Sequence, residues 1–284
     1  MRIPRSWLYV PGHHPERVQK ALASTADAVV VDLEDAVPAA MKDQARRETV
    51  ALLADRPAGD KPVWVRVNSP HDGVGRADVE ALTGSDLAGL RLPRCEDPDL
   101  VRAVASQAGA PLVLLLETAR GLLRAPELAV AHPLVRGLSL GESDLAADLM
   151  VGSDSGLEWA RGWVVAAARA AGLGSPVQSV WTHVADLDGL RASCAAGLAM
   201  GFFGRSVVHP AQIAVVHEVY TPSPEQVADA RDLLAAGDEA RARGEVAALD
   251  PRGRFVDPAV EAKARVVLDR AVDRSPTHAS GGHE

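Results

Sequence analysis

Glu117 follows the run Leu112-Val113-Leu114-Leu115-Leu116 without a break. A carboxylate in that position is costly unless it is paired, protonated or bound to a metal. Asp144 comes at the end of Glu142-Ser143-Asp144, which follows the next apolar run, Gly137–Leu140. If the two carboxylates share a site, their hard oxygens suit Mg²⁺, which keeps waters and takes substrate oxygens in its open positions. Position alone leaves a plainer reading open, because both acids begin a loop before a helix, where they can cap it or complement its dipole. Arg66 alternates with valines in Val63-Trp64-Val65-Arg66-Val67-Asn68. From a strand end its guanidinium can grip a carboxylate through two N–H groups, or it can simply bridge to Glu34 or Asp35. Those acids belong to Asp32-Leu33-Glu34-Asp35. One of that cluster is expected to cap a helix and another to orient Arg66 or a metal-bound water. Arg66, Glu34 and Asp35 form the expected substrate-binding group.

Other residues narrow the reaction. Lysine occurs only at Lys20, Lys42, Lys61 and Lys263, and none ends an apolar run. Schiff-base aldol chemistry is therefore disfavoured, and a carbanion formed here needs a metal as its electron sink. The loop pair His13-His14 reads as incidental, and His209 before Pro210 reads as a helix start. Neither H-E-x-x-H nor G-x-S-x-G occurs. Gly73-Val74-Gly75 runs into Arg-Ala-Asp, so it is not a dinucleotide fingerprint.

These side chains need a frame that gathers the ends of separate strands. Short apolar runs predict strands over Ser6–Val10, Ala28–Leu33, Val63–Val67, Gly89–Leu92, Leu112–Leu116, Gly137–Leu140, Val177–Trp181 and Phe202–Val208. Several are continuous rather than alternating, as in parallel strands buried on both faces. Helical spacing lies between them at Pro15–Ala23, Ala39–Leu53, Pro98–Ala108, Ala125–Ala131, Leu157–Ala171 and Leu187–Ala199. The alternation predicts an α/β fold, a (β/α)8 TIM barrel with its active site at the carboxyl ends of the strands. After Pro210, two helices, Ser223–Arg243 and Pro258–Val272, are joined by Gly244–Asp257 with no strand between them. The expected organisation is a catalytic barrel over 1–220, a C-terminal helical extension over 221–274 and a disordered tail over 275–284.

Composition is that of an ordinary globular protein. The 284 residues carry a net charge of −8 and are 47% hydrophobic, which argues against a general nucleic-acid binder. No run approaches a membrane span. Cys95 and Cys194 are far apart, which fits a reducing compartment. With no signal-peptide core at the start, a cytoplasmic location is expected.

Ordered motifs add a resemblance. Arg5-Ser6-Trp7-Leu8-Tyr9-Val10-Pro11-Gly12, Asp32-Leu33-Glu34-Asp35-Ala36-Val37, Val65-Arg66-Val67-Asn68, Leu116-Glu117-Thr118-Ala119, Leu140-Gly141-Glu142-Ser143-Asp144-Leu145, Gly201-Phe202-Phe203-Gly204-Arg205 and His209-Pro210-Ala211-Gln212-Ile213 occur in that order. Together they resemble the citrate lyase β-subunit-like branch of the HpcH/HpaI aldolase superfamily, which includes malyl-CoA and citramalyl-CoA lyases. The resemblance implies Mg²⁺ held by Glu117 and Asp144, and Arg66 on the oxygens of a 2-oxo acid. It also implies reversible cleavage of a 3-hydroxyacyl-CoA into an acyl-CoA and a 2-oxo acid, by a homotrimer or dimer of trimers. Thioester hydrolysis, aldol chemistry without CoA, and a non-autonomous subunit are the alternatives. Lys20 and Arg205 are the implied contacts to CoA. Asp257 is implied as the acid/base at the acyl-CoA α-carbon, although Asp257-Pro258 alone reads as a helix cap. Arg94 and Arg205 stand where the family often has lysine, and Gln178-Ser179 replaces an acid.

Overall fold

A computed structural model describes residues 4–56 and 61–271. Seven parallel strands form one curled sheet: β1 (Ser6–Pro11), β2 (Ala28–Asp32), β3 (Val63–Arg66), β4 (Gly89–Leu92), β5 (Leu112–Leu116), β6 (Val135–Leu140) and β7 (Arg205–Val207). Their order is β6-β5-β4-β3-β2-β1-β7. The strand expected at Val177–Trp181 is reduced to two parallel bridges, Ser139 with Val177 and Gln178 with Arg205. They lie between β6 and β7, so they close the ring as a TIM-type barrel. Backbone bonds from Gln178 N to Gly204 O and from Ser206 N to Gln178 O continue the parallel pattern there. Beyond Gln178 the ladder stops, because the Trp181 carbonyl accepts instead from Gln212 Nε2 at 2.8 Å.

The buried runs explain the layers. Val29, Val31, Leu90, Leu92, Leu114 and Leu116 pack outward against the helices. Trp7, Ala28, Val30, Trp64, Val113 and Val177 form a separate cluster inside the ring. The helices Pro15–Ala23 and Pro98–Ala108 begin at their prolines as expected. The helix Gly73–Leu82 was not predicted. Its two glycines hide it, but Asp72 caps it by accepting from Val74 N and Gly75 N. Gly75 allows a close approach, since a Cβ there would lie 2.1 Å from Ser69 O.

The chain divides into two compact units, Met1–Tyr220 and Thr221–Glu284. In the second, the helices Pro224–Ala242 and Pro258–Ala271 flank an antiparallel hairpin of β8 (Ala248–Leu249) and β9 (Phe255–Val256). This corrects the expectation of a strand-free connection. Asp250 holds the hairpin by accepting from Arg252 N, Arg254 N and Arg254 Nε. The tail expected over 275–284 lies outside the described residues.

Candidate active site

The carboxyl ends of the strands open into a cavity of about 530 Å³. Tyr9, Asp32, Arg66, Arg91, Glu117 and Asp144 line it. Glu117 is 4% exposed, directly beyond β5. Burial pushes its carboxyl up to about 7; an amide bond from Arg94 opposes the rise and the Asp144 charge adds to it. Arg94 N donates to Glu117 Oε2 at 2.9 Å, and Arg94 holds a left-handed φ of 51° to do so. Gly141 makes room on the other side, because a Cβ there would lie 2.4 Å from Glu117 Cγ. Glu117 is not a helix cap: Thr118 fills that place by accepting from Gly121 N at 3.1 Å. Asp144 is exposed in the first turn of the helix Glu142–Asp148, which has no side-chain cap.

Arg66 occupies the end of β3, in register with Asp32 on β2. Its Nε and Nη2 donate to Asp32 Oδ1 and Oδ2, both at 2.7 Å. Nη1 donates to Asp35 at 3.2 Å and lies 2.9 Å from Glu34 Oε2, off the direction that would make a hydrogen bond. Burial alone would lower the Arg66 pKa; the Asp32 bonds and charge more than reverse this and raise it. Asp32 also accepts from Glu34 N and Ala36 N, so it serves as both turn cap and partner of Arg66. The guanidinium fork expected to be open for substrate is thus closed on Asp32. Glu34 is pushed up to about 8 by burial, against the pull of Arg66 and with the Glu117, Asp35 and Asp32 charges adding to the rise. Lys42 fixes this loop by donating to Leu33 O and Glu34 O.

Other expected residues fall elsewhere. Arg205 is 4% exposed and does not line the cavity. Its Nη1 donates to Ser193 Oγ at 2.9 Å and Gln178 Oε1 at 3.3 Å, and the guanidinium lies over Trp181. A phosphate contact is therefore corrected to a barrel-wall tie. Lys20 is exposed in the last turn of its helix, and on that helix Arg17 reaches the cavity instead. Asp257, in the second unit, accepts from Val260 N at 2.8 Å in the manner of a cap. His209 caps the turn at Pro210–Gln212. Asn68 is structural, donating through N and Nδ2 to buried Asp78. Arg91 and Arg17 are cavity residues that the sequence did not single out, and Asp32 was named only as one of three clustered acids. The signal for Asp32 was its place as the last residue of a buried run, opposite Arg66.

The donor set fits a hard divalent cation. Among the described residues no cation forms an ion pair with buried Glu117, and burial and the Asp144 carboxylate raise its pKa; a bound cation reverses both penalties. Among the described residues no three His, Cys, Asp or Glu side chains form a ready cage. Mg²⁺ does not require one, because it is commonly held by one or two carboxylates, with waters and substrate completing its shell.

Known proteins resemble this chain in sequence and fold. The model of the HpcH/HpaI aldolase/citrate lyase family matches residues 5–210, and that of a C–C bond lyase of the TIM-barrel fold matches residues 161–271. A (3S)-malyl-CoA thioesterase of Cereibacter sphaeroides is 37% identical over 94% of both chains. An L-malyl-CoA/β-methylmalyl-CoA lyase of the same organism is 32% identical over 95% of both. The crystal structure of CitE from Mycobacterium tuberculosis in complex with magnesium, acetoacetate and coenzyme A superposes with a TM-score of 0.80. It is 34% identical, covering 95% of this chain and 98% of that one.

Proposed function

This chain belongs to the HpcH/HpaI aldolase/citrate lyase family, and from that premise we propose that it is a Mg²⁺-dependent carbon–carbon lyase. It reversibly cleaves a 3-hydroxyacyl-CoA into an acyl-CoA and a 2-oxo acid. The observation that carries this reading is the pairing of buried Glu117 with Asp144 beside Arg66 in one cavity. Glu117 and Asp144 are the residues that would hold the cation. When bound there, Mg²⁺ supplies Lewis-acid polarisation of the oxygen at the carbon being cleaved.

The remaining work belongs to the chain. In the cleavage direction the hydroxyl loses its proton and becomes a carbonyl. The electrons of the breaking C–C bond pass to the carbon α to the thioester, which then takes a proton. Arg66, fixed by Asp32, presents positive charge to the oxygens of the 2-oxo acid as it forms. Glu34, largely protonated at neutral pH, can donate a hydrogen bond to an anionic oxygen, and Asp35 restrains Arg66 from the other side. For the proton at the α-carbon we assign Asp257. Asp257→Asn keeps the helix cap and removes the proton, so turnover should collapse while the melting temperature stays unchanged. Full turnover would leave Asp257 as a cap only. Lys20 is assigned to CoA, an assignment that unchanged CoA-ester affinity in Lys20→Ala would remove. A homotrimer or dimer of trimers in the cytoplasm completes the reading, with the assembly to be read by light scattering.

Thioester hydrolysis is the second reading, favoured by the 37% identical malyl-CoA thioesterase. Purified protein incubated with Mg²⁺ and malyl-, citramalyl- or citryl-CoA separates the two. A lyase releases a 2-oxo acid and an acyl-CoA; a thioesterase releases free CoA and no 2-oxo acid.

A further inference from the structure

Arg91 has no part in the chemistry above, yet it lines the same cavity. It lies in β4, in register with Arg66 on one side and Val113 on the other. It is 1% exposed. Its guanidinium rests on aromatic faces, 5.2 Å from the Trp7 ring centre and 5.5 Å from that of Tyr9. Among the described residues no carboxylate forms an ion pair with it, and its Nε and Nη1 have no hydrogen-bond partner. Burial pulls its pKa down, and the nearby Tyr9 and Glu117 only partly offset this.

A guanidinium does not escape burial by losing its proton. An arginine removed from water without a counter-charge is strongly disfavoured. The folded chain keeps that cost at the wall of a cavity, where a ligand's anion can relieve it. Arg66 is placed differently, since Asp32 already occupies its Nε and Nη2. A carboxylate reaching this part of the cavity therefore meets two unpartnered N–H groups on Arg91, at Nε and Nη1. The Trp7 and Tyr9 rings hold the guanidinium in place by cation–π contact, so its free N–H groups are already positioned for a charge-assisted bond to an anion.

We propose that Arg91 is a carboxylate anchor and that it selects a short 2-oxo dicarboxylate over a 2-oxo acid with a single carboxylate. This rests on the lyase reading. There, the 2-oxo acid group is met by Arg66 and by the cation that Glu117 and Asp144 would hold, and Arg91 takes the carboxylate at the far end.

Calorimetric titration with Mg²⁺ present tests it on chain-matched pairs: oxaloacetate against 2-oxobutyrate, and 2-oxoglutarate against 2-oxopentanoate. The wild-type protein should bind at least one dicarboxylate about tenfold or more tightly than its match, as a charge-assisted hydrogen bond allows. Arg91→Gln should erase that preference and leave the monocarboxylates within about twofold, while Arg91→Lys should keep part of it. Equal affinity within both pairs for the wild-type protein overturns the proposal, and so does an Arg91→Gln variant that weakens both members alike. If Arg91→Gln does not fold, the wild-type comparison and Arg91→Lys still decide. Binding of monocarboxylates without the preference defeats this inference alone. Binding of neither kind defeats the lyase reading and this inference with it.

Discussion

The two ends of the barrel hold cavities of similar size but differently lined. The one at the carboxyl ends of the strands measures about 530 Å³ and holds Asp32, Arg66, Arg91, Glu117 and Asp144. The one at the amino ends measures about 470 Å³ and is lined by Trp7, Trp64, Pro111, Val113 and Leu138, with Arg136 as its one charged side chain and no carboxylate. Volume therefore says little about which end reacts. At the first end, charge is buried against its own solvation, and two carboxyls are driven up towards neutrality. At the second, large rings fill the ring of strands and repay the cost of folding. Trp7 and Trp64 lie 5.2 Å apart there.

The sharpest contrast should come from Glu117→Ala. A metal's Lewis-acid stabilisation is worth several kcal/mol, so turnover should fall by about 10³-fold or more. The fold should survive, because a carboxyl whose pKa is raised by burial opposes folding. Near wild-type turnover in Mg²⁺ would remove Glu117 from the cation site, and Asp144→Ala should behave alike. Trp64→Ala should do the reverse. It should cost about 3–5 kcal/mol of stability, as large core truncations do, while turnover measured well below its melting point stays within a few-fold. Lost turnover in that folded variant would mean the two ends are not independent.

Arg66→Lys should lower turnover by about 10²-fold, because a point charge cannot hold both oxygens of Asp32. A loss of less than about threefold would make Arg66 a strut only. The smallest effect is on pH dependence. The folded pKa values of Glu117 and Glu34, about 7 and about 8, lie above the ordinary carboxyl value. Their favourable contribution is fully present below that value and is lost as pH rises through 7 and 8. Without Mg²⁺, stability should therefore fall between about pH 5 and 8. Glu117→Gln should flatten that fall, and wild-type Mg²⁺ affinity should rise over the same range as protons leave Glu117. Melting curves and Mg²⁺ titrations at several pH values read both.

The barrel was legible because several of its strands are continuous apolar runs, and the cavity positions of Glu117 and Arg66 followed from where the predicted strands end. Other features depend on register and contact. Asp32 is recognisable as the partner of Arg66 only when β2 and β3 are aligned. Arg91 sits inside Gly89-Leu90-Arg91-Leu92, which reads as a buried strand, and no local pattern tells that its side chain faces the inside of the ring. The strand at Val177 shrank to bridges because Gln212, distant in sequence, captures the Trp181 carbonyl. Arg205 looked like a free cation because its partners, Ser193 and Gln178, come from other segments.

Arg94 carries a consequence for how this chain can be altered. Its left-handed backbone, at φ 51°, costs about 1 kcal/mol for a residue with a side chain. Arg94→Gly should ease that strain. The same exchange frees the peptide whose amide steadies Glu117, so a gain in heat tolerance should come with a looser grip on that buried carboxyl. Stabilising screens that ignore activity should find this position early, and selection for turnover should keep rejecting it.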